Sequence, residues 1–245
     1  MLKKMLNIIK YEWLRRWKFF LAGLAVFTLA NIDLVSRIII KGNPSVLSGL
    51  LIAVLFTMVG VLVFDHLGRL YNPLFKEEGT FVFSTPLSGH SLLGRKILAV
   101  ALEYIGVAVF VGIVIFIDYL ILGGNLAVFW QTGDITLNLL LTRGLQVNLL
   151  LLLGYLSFLL TAYLSMALAK SFLSSVKHGG LLSFIIFIVI THVFSLLGEA
   201  CKYGGLRIEG ADFTGYWLIA VAIAAVTAAA LFAATGYLLD RKVNI

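Results

Sequence analysis

A single cysteine, Cys201, excludes an intramolecular disulfide framework and any cysteine-based metal cluster. Charge is scarce too. Only 13% of the 245 residues are Asp, Glu, Lys or Arg, against 61% hydrophobic, and the mean hydropathy is +1.03. That leaves too little polar surface to cover a water-soluble globule. The four histidines, His66, His90, His178 and His192, fall on different segments, so they outline no metal or catalytic cluster. A nucleotide motif is missing as well. Gly89 and Gly94 have the first glycine spacing of a P-loop, but Arg95 stands where the phosphate-binding lysine should follow, and Ile97 offers no hydroxyl for magnesium. What the chain does have is apolar sequence in runs long enough to span a bilayer, which makes it an integral membrane protein with no ATPase activity of its own expected.

A helix crossing about 30 Å of hydrocarbon needs about 20 apolar residues. Six segments come near that, at about 19–40, 46–64, 97–122, 145–169, 181–197 and 216–239. Asn31, Asp33 and Arg37 interrupt the outer end of the first, and Asp33 and Arg37, four apart, are spaced to pair on one helical face. The halves of the chain show no obvious repeat, so nothing points to an inverted-repeat carrier. In the last span, Ala220, Ala224 and Ala228 form one small-residue stripe and Ala225, Ala229 and Ala233 another, a texture suited to close packing against a neighbouring span.

The net charge of +7 is read as topology rather than as affinity for nucleic acid, because the basic residues sit at the ends of apolar runs, where they meet anionic lipid headgroups. With the N-terminus inside, fourteen of the nineteen Lys and Arg fall on the cytoplasmic side. Only Arg37, Lys41, Arg143, Lys202 and Arg207 remain outside. This asymmetry favours both termini in the cytoplasm.

Residues 1–18 place Leu2, Met5, Leu6, Ile9, Trp13 and Trp17 at helical spacing, with Lys3, Asn7 and Lys10 on another face. The pattern predicts an amphipathic interfacial elbow helix leading into a single six-span domain, residues 19–245. A secretory signal peptide with its apolar region at Phe19 to Ala30 is disfavoured by the long basic segment before it.

The longest inner connection, 65–96, is well punctuated. Asn72-Pro73 reads as a helix start, Glu77 and Glu78 continue it, and Gly79 permits a break. Phe75, Phe81 and Phe83 put aromatic rings among the charges. Pro86 then resets the backbone so that Ser88 caps a helix running through Lys96 into the third span.

The order Glu78-Gly79-Thr80, Pro86-Leu87-Ser88 and Gly94-Arg95-Lys96, leading straight into a span, resembles the connection between the second and third helices of ABC-2 type transporter permeases. The chain departs from the usual form at Thr85 before the proline and at Arg95 inside the glycine-lysine pair. The six-span layout and the basic amphipathic N-terminus are similar to that family as well. The resemblance implies an all-α membrane protein in which this connection holds a coupling helix inserted into a cleft of a separate ATPase subunit. Two such ATPases, carrying the ATP and magnesium, would join two permease chains, identical or homologous. By position, the ATPase contacts would be Pro73, Phe75, Glu77, Glu78, Gly79, Phe81 and Phe83, with Thr80, Pro86, Ser88, Gly94 and Lys96 as the loop motif. The short basic segment 170–180 would be a secondary contact.

Isolated polar residues carry smaller expectations. Glu103 is a candidate for the pathway or for gating, or an interfacial anchor. Asp118 and Asp134 are expected to be solvated near or beyond the outer boundary, and His192 to make one polar contact inside the bundle. Gln146 and Asn148 are expected to anchor locally. Without buried charge clusters, the path suits an amphipathic or hydrophobic cargo: a toxin or antimicrobial peptide first, a drug or lipid next. The expected location is a cell membrane, that of a prokaryote. An ATP-independent secondary carrier or channel is the alternative, and paired ionisable residues or broken helices at mid-membrane would mark it.

Overall fold

The structure is a computed structural model that describes residues 2–40, 45–75, 88–122, 137–172, 179–203 and 213–241. Six α-helices account for nearly all of them, and no strand occurs among the described residues: α1 Leu2–Ile39, α2 Ser45–Phe75, α3 Gly89–Ile121, α4 Leu137–Phe172, α5 Gly179–Tyr203 and α6 Phe213–Arg241. Helix is the form such sequence must take in hydrocarbon, where each backbone N–H and C=O needs a partner within its own segment. Each helix contains a stretch long and apolar enough to cross a membrane: Leu21–Ile39, Ala53–Phe75, Gly89–Ile121, Leu141–Ser171, Gly179–Leu197 and Trp217–Arg241.

The helices run past several sequence-predicted limits. Helix α2 continues to Phe75 rather than ending near 64, and α4 starts at Leu137 rather than near 145, whereas α3 starts at Gly89, directly after Ser88, as the capping pattern predicted. Pro73 therefore does not open a new helix. It lies inside the last turn of α2, a place where the missing N–H removes one bond without ending the helix. Helix α1 is continuous through both residues 2–18 and the first span. Its 38 residues give a rise of about 57 Å, well beyond the hydrocarbon thickness of about 30 Å.

Two compact units emerge, Met1–Asp65 with Leu102–Gly144, and His66–Ala101 with Leu145–Ile245. In the first, Phe27, Leu34 and Val35 of α1 are buried, Phe27 meets Phe110 of α3 edge-on with ring centroids 6.4 Å apart, and Gly23 faces the end of Met58. The Asp33 carboxylate and Arg37 guanidinium do pair, at 3.4 Å, on an exposed face.

The second unit holds the main described apolar core. Leu70 and Leu74 of α2, Leu93 of α3, Leu160, Tyr163, Met166 and Ala167 of α4, and Leu231 and Leu239 of α6 form one buried cluster. Its members come from the end of α2, the start of α3 and the ends of α4 and α6, so the core surrounds the two helix ends that flank residues 76–87. One alanine stripe of α6, Ala220, Ala224 and Ala228, is half-buried and leads into buried Leu231, Thr235 and Leu239, while Ala225, Ala229 and Ala233 are exposed. Helix α5 is more open. Residues 191–197 are all exposed, so His192 does not sit inside the bundle as its embedding in apolar sequence suggested. Apolar neighbours along a helix do not fix which side faces inward.

Candidate functional site at the start of the third helix

Ser88 precedes the first turn of α3, and its Oγ accepts the Ser91 N–H at 3.2 Å while its carbonyl accepts the Leu92 N–H. That is an N-cap, the role its residue type and position predicted. The next two residues are held from outside the helix. The Gly89 N–H donates to Asp240 Oδ1, and His90 Nδ1 lies 2.5 Å from Asp240 Oδ2. A carboxylate of the last turn of α6 thus receives two groups at the start of α3, where the N-terminal helix dipole favours negative charge.

Close approach makes this contact possible. A Cβ on Gly89 would run into Leu239 Cβ and the Asp240 backbone, and one on Gly236 would run into the His90 ring. Glycine on both sides lets the helices meet at backbone distance. Phe232, one turn before Gly236, takes the His90 ring edge-on at 6.2 Å. Gly94 has room to spare, since a Cβ there would meet only Phe232 at 3.7 Å.

Two turns into α3 lies Lys96, 8% exposed, whose ammonium donates to the Arg69 carbonyl at 2.5 Å. In a regular helix that carbonyl would accept the N–H of the residue four positions on, and that residue is Pro73. The proline ring both withholds the donor and crowds the oxygen. Lys96 therefore satisfies a carbonyl that α2 itself does not. One turn earlier, His66 is 2% exposed, its Nδ1 is 2.5 Å from Tyr155 Oη, and the Tyr163 hydroxyl donates to the His66 carbonyl at 2.6 Å. Phe75 ends the helix with its ring against Tyr71, centroids 5.0 Å apart, and over Gly179 at the start of α5.

Of the sequence-predicted site, the structure sets Lys96 on the Arg69 carbonyl, one turn before Pro73, places Ser88 at the cap and Phe75 at the end of α2, and leaves Gly94 in ordinary contact. Glu77, Glu78, Gly79, Thr80, Phe81, Phe83 and Pro86 lie outside the described residues. Glu103 is half-buried on α3, two turns beyond Lys96. Sequence reasoning missed Asp240, His66, Tyr155 and Tyr163. They are distant in the chain, and no local spacing connects them.

Asp118 departs from expectation. It is 7% exposed rather than solvated, and Asn31 Nδ2 donates to both carboxylate oxygens at 3.0 Å each. Two polar residues toward the C-terminal ends of α1 and α3 find each other instead of water. The backbone carbonyl of Gln146 accepts the Trp217 indole N–H at 2.9 Å.

Among the described residues no group of three or more His, Cys, Asp or Glu lies where it could hold a metal ion. The groups at the start of α3 pair a carboxylate with a backbone N–H and an imidazole, and an ammonium with a carbonyl, an arrangement suited to fixing helices in place. No protein-family model, curated protein or solved structure matches the chain.

Proposed function

We propose that this protein is the membrane-spanning permease subunit of an ATP-driven exporter of the ABC-2 type, with ATP and magnesium bound by separate ATPase subunits. The observation that carries the reading is the placing of the buried core. It surrounds the two helix ends joined by residues 76–87, the segment whose sequence resembles the coupling connection of that family. A connection that receives force from a soluble subunit needs firm footings, and here one end rests on Tyr71, Phe75 and Gly179 and the other on Asp240 and Gly236.

In this reading Pro73, Phe75, Glu77, Glu78, Gly79, Phe81 and Phe83 contact the ATPase, both termini are cytoplasmic, and residues 1–18 act as the elbow at the inner surface of a prokaryotic plasma membrane. Two permease chains and two ATPases make the transporter. The cargo is amphipathic or hydrophobic, a toxin or antimicrobial peptide before a drug or lipid.

A second reading, an ATP-independent carrier, gains one specific observation. The buried Asn31–Asp118 pair joins two candidate spans, and intramembrane carboxylates mark ion or proton pathways in many carriers. Affinity purification of the intact chain in detergent separates the two. A stoichiometric ATPase that is lost with Glu78→Arg plus Phe81→Ala supports the permease. A chain that purifies alone and moves solute in liposomes without ATP supports the carrier.

A further inference from the structure

We infer that the first two turns of α3 bind the end of α2 and the end of α6 into one moving body, so that displacement of residues 76–87 reaches α6 through Gly89, His90 and Asp240. The inference rests on the permease reading and adds to it which span receives the motion.

Three contacts on one short stretch support it. At its start, Asp240 accepts the Gly89 N–H and faces His90 Nδ1 at 2.5 Å. In its middle, Leu93 is fully buried and belongs to the same cluster as Leu70, Leu74, Leu231 and Leu239. At its end, Lys96 bonds the Arg69 carbonyl of α2. A helix pinned at both ends of two turns, to different neighbours and by charge-assisted hydrogen bonds, cannot shift without moving both.

The contacts differ in kind from that of α2 with α5. There Phe75 covers Gly179 and Tyr71 approaches Gly180, so aromatic side chains against glycine make that contact. At α3 and α6, glycine on each side closes the helices to backbone distance and a carboxylate engages the end of the helix. Asp240 is a positioning residue in this account. It acts on the motion of α6, not on the ATPase interface.

The test uses the full chain with whatever ATPase co-purifies, in a Cys201→Ser background. Spin labels go at the exposed positions Tyr237 of α6 and Phe184 of α5, and pulsed dipolar spectroscopy compares the labels with and without ATP, magnesium and vanadate. In the otherwise native chain the distance distribution is expected to shift. In Asp240→Ala that shift is expected to fall by half or more, with the ATPase still bound in the same ratio and still hydrolysing ATP. An unchanged shift in Asp240→Ala, or no shift in the native complex, overturns the inference.

Should Asp240→Ala fail to fold, His90→Leu carries the same expectation. Absence of any ATPase defeats the permease reading instead, and the body itself is then tested by amide hydrogen exchange on the chain alone. Residues 89–92 and 233–241 should lose protection together in the variant. Loss at only one of the two overturns the inference.

Discussion

Lys96 donates its ammonium, at 2.5 Å, to the Arg69 carbonyl, the oxygen whose helical donor would be the N–H that Pro73 lacks. The two residues stand 23 positions apart on different helices, yet one answers a defect made by the other. Lys96→Met is expected to destabilise the protein by about 1.5–3 kcal/mol, the range for a hydrogen bond to a charged group. In a Pro73→Ala background, where the backbone supplies the missing N–H, the same substitution should cost clearly less. Unfolding of the four variants in detergent gives the coupling, and equal penalties in both backgrounds would show that the proline does not create the demand.

Asn31 and Asp118 call for a different cycle. Helix-to-helix polar contacts in membranes average about 0.6 kcal/mol and reach about 1.7, but removing only the amide leaves a buried carboxylate with its donor gone. Asn31→Leu alone should therefore lower the melting temperature more than Asn31→Leu with Asp118→Leu, since taking out both partners removes the burial cost too. If the double variant melts lower, the pair contributes net stability.

Six apolar runs and the N-cap at Ser88 were legible because hydropathy and capping are local properties of the chain. The extra turns of α2 were not. Asn72-Pro73 has the composition of a helix start, and only the packing of Leu70 and Leu74 against Leu93 and α4 shows why the helix runs on through the proline. Asp240 and Asp118 were misread or passed over for a common reason: each sits at a helix end, where sequence alone suggests solvent, and each instead meets a partner about 90 or 150 residues away. His192 shows the converse, since a polar residue inside an apolar run faces outward.

Packing makes a graded prediction. Leu93 is fully buried at the centre of the core, whereas Ile223 of α6 is exposed. Leu93→Ala should cost about 2–5 kcal/mol, while Ile223→Ala should leave the melting temperature in detergent nearly unchanged. The comparison is read as two unfolding curves against the parent. Similar losses for both would mean that the face carrying Ile223 is covered by another chain in the purified protein.

Orientation can be decided with two exposed positions. Ser88 lies at the start of α3 and Arg37 near the end of α1, and the bias of Lys and Arg puts the first inside and the second outside. In a Cys201→Ser background, Ser88→Cys should react with a membrane-impermeant maleimide only after intact cells are opened. Arg37→Cys should react before. Because the two positions report on opposite ends of the spans, reversal of both would place the 76–87 connection outside, away from any cytoplasmic ATPase. That result would remove the main support for the permease and leave the carrier reading in its place.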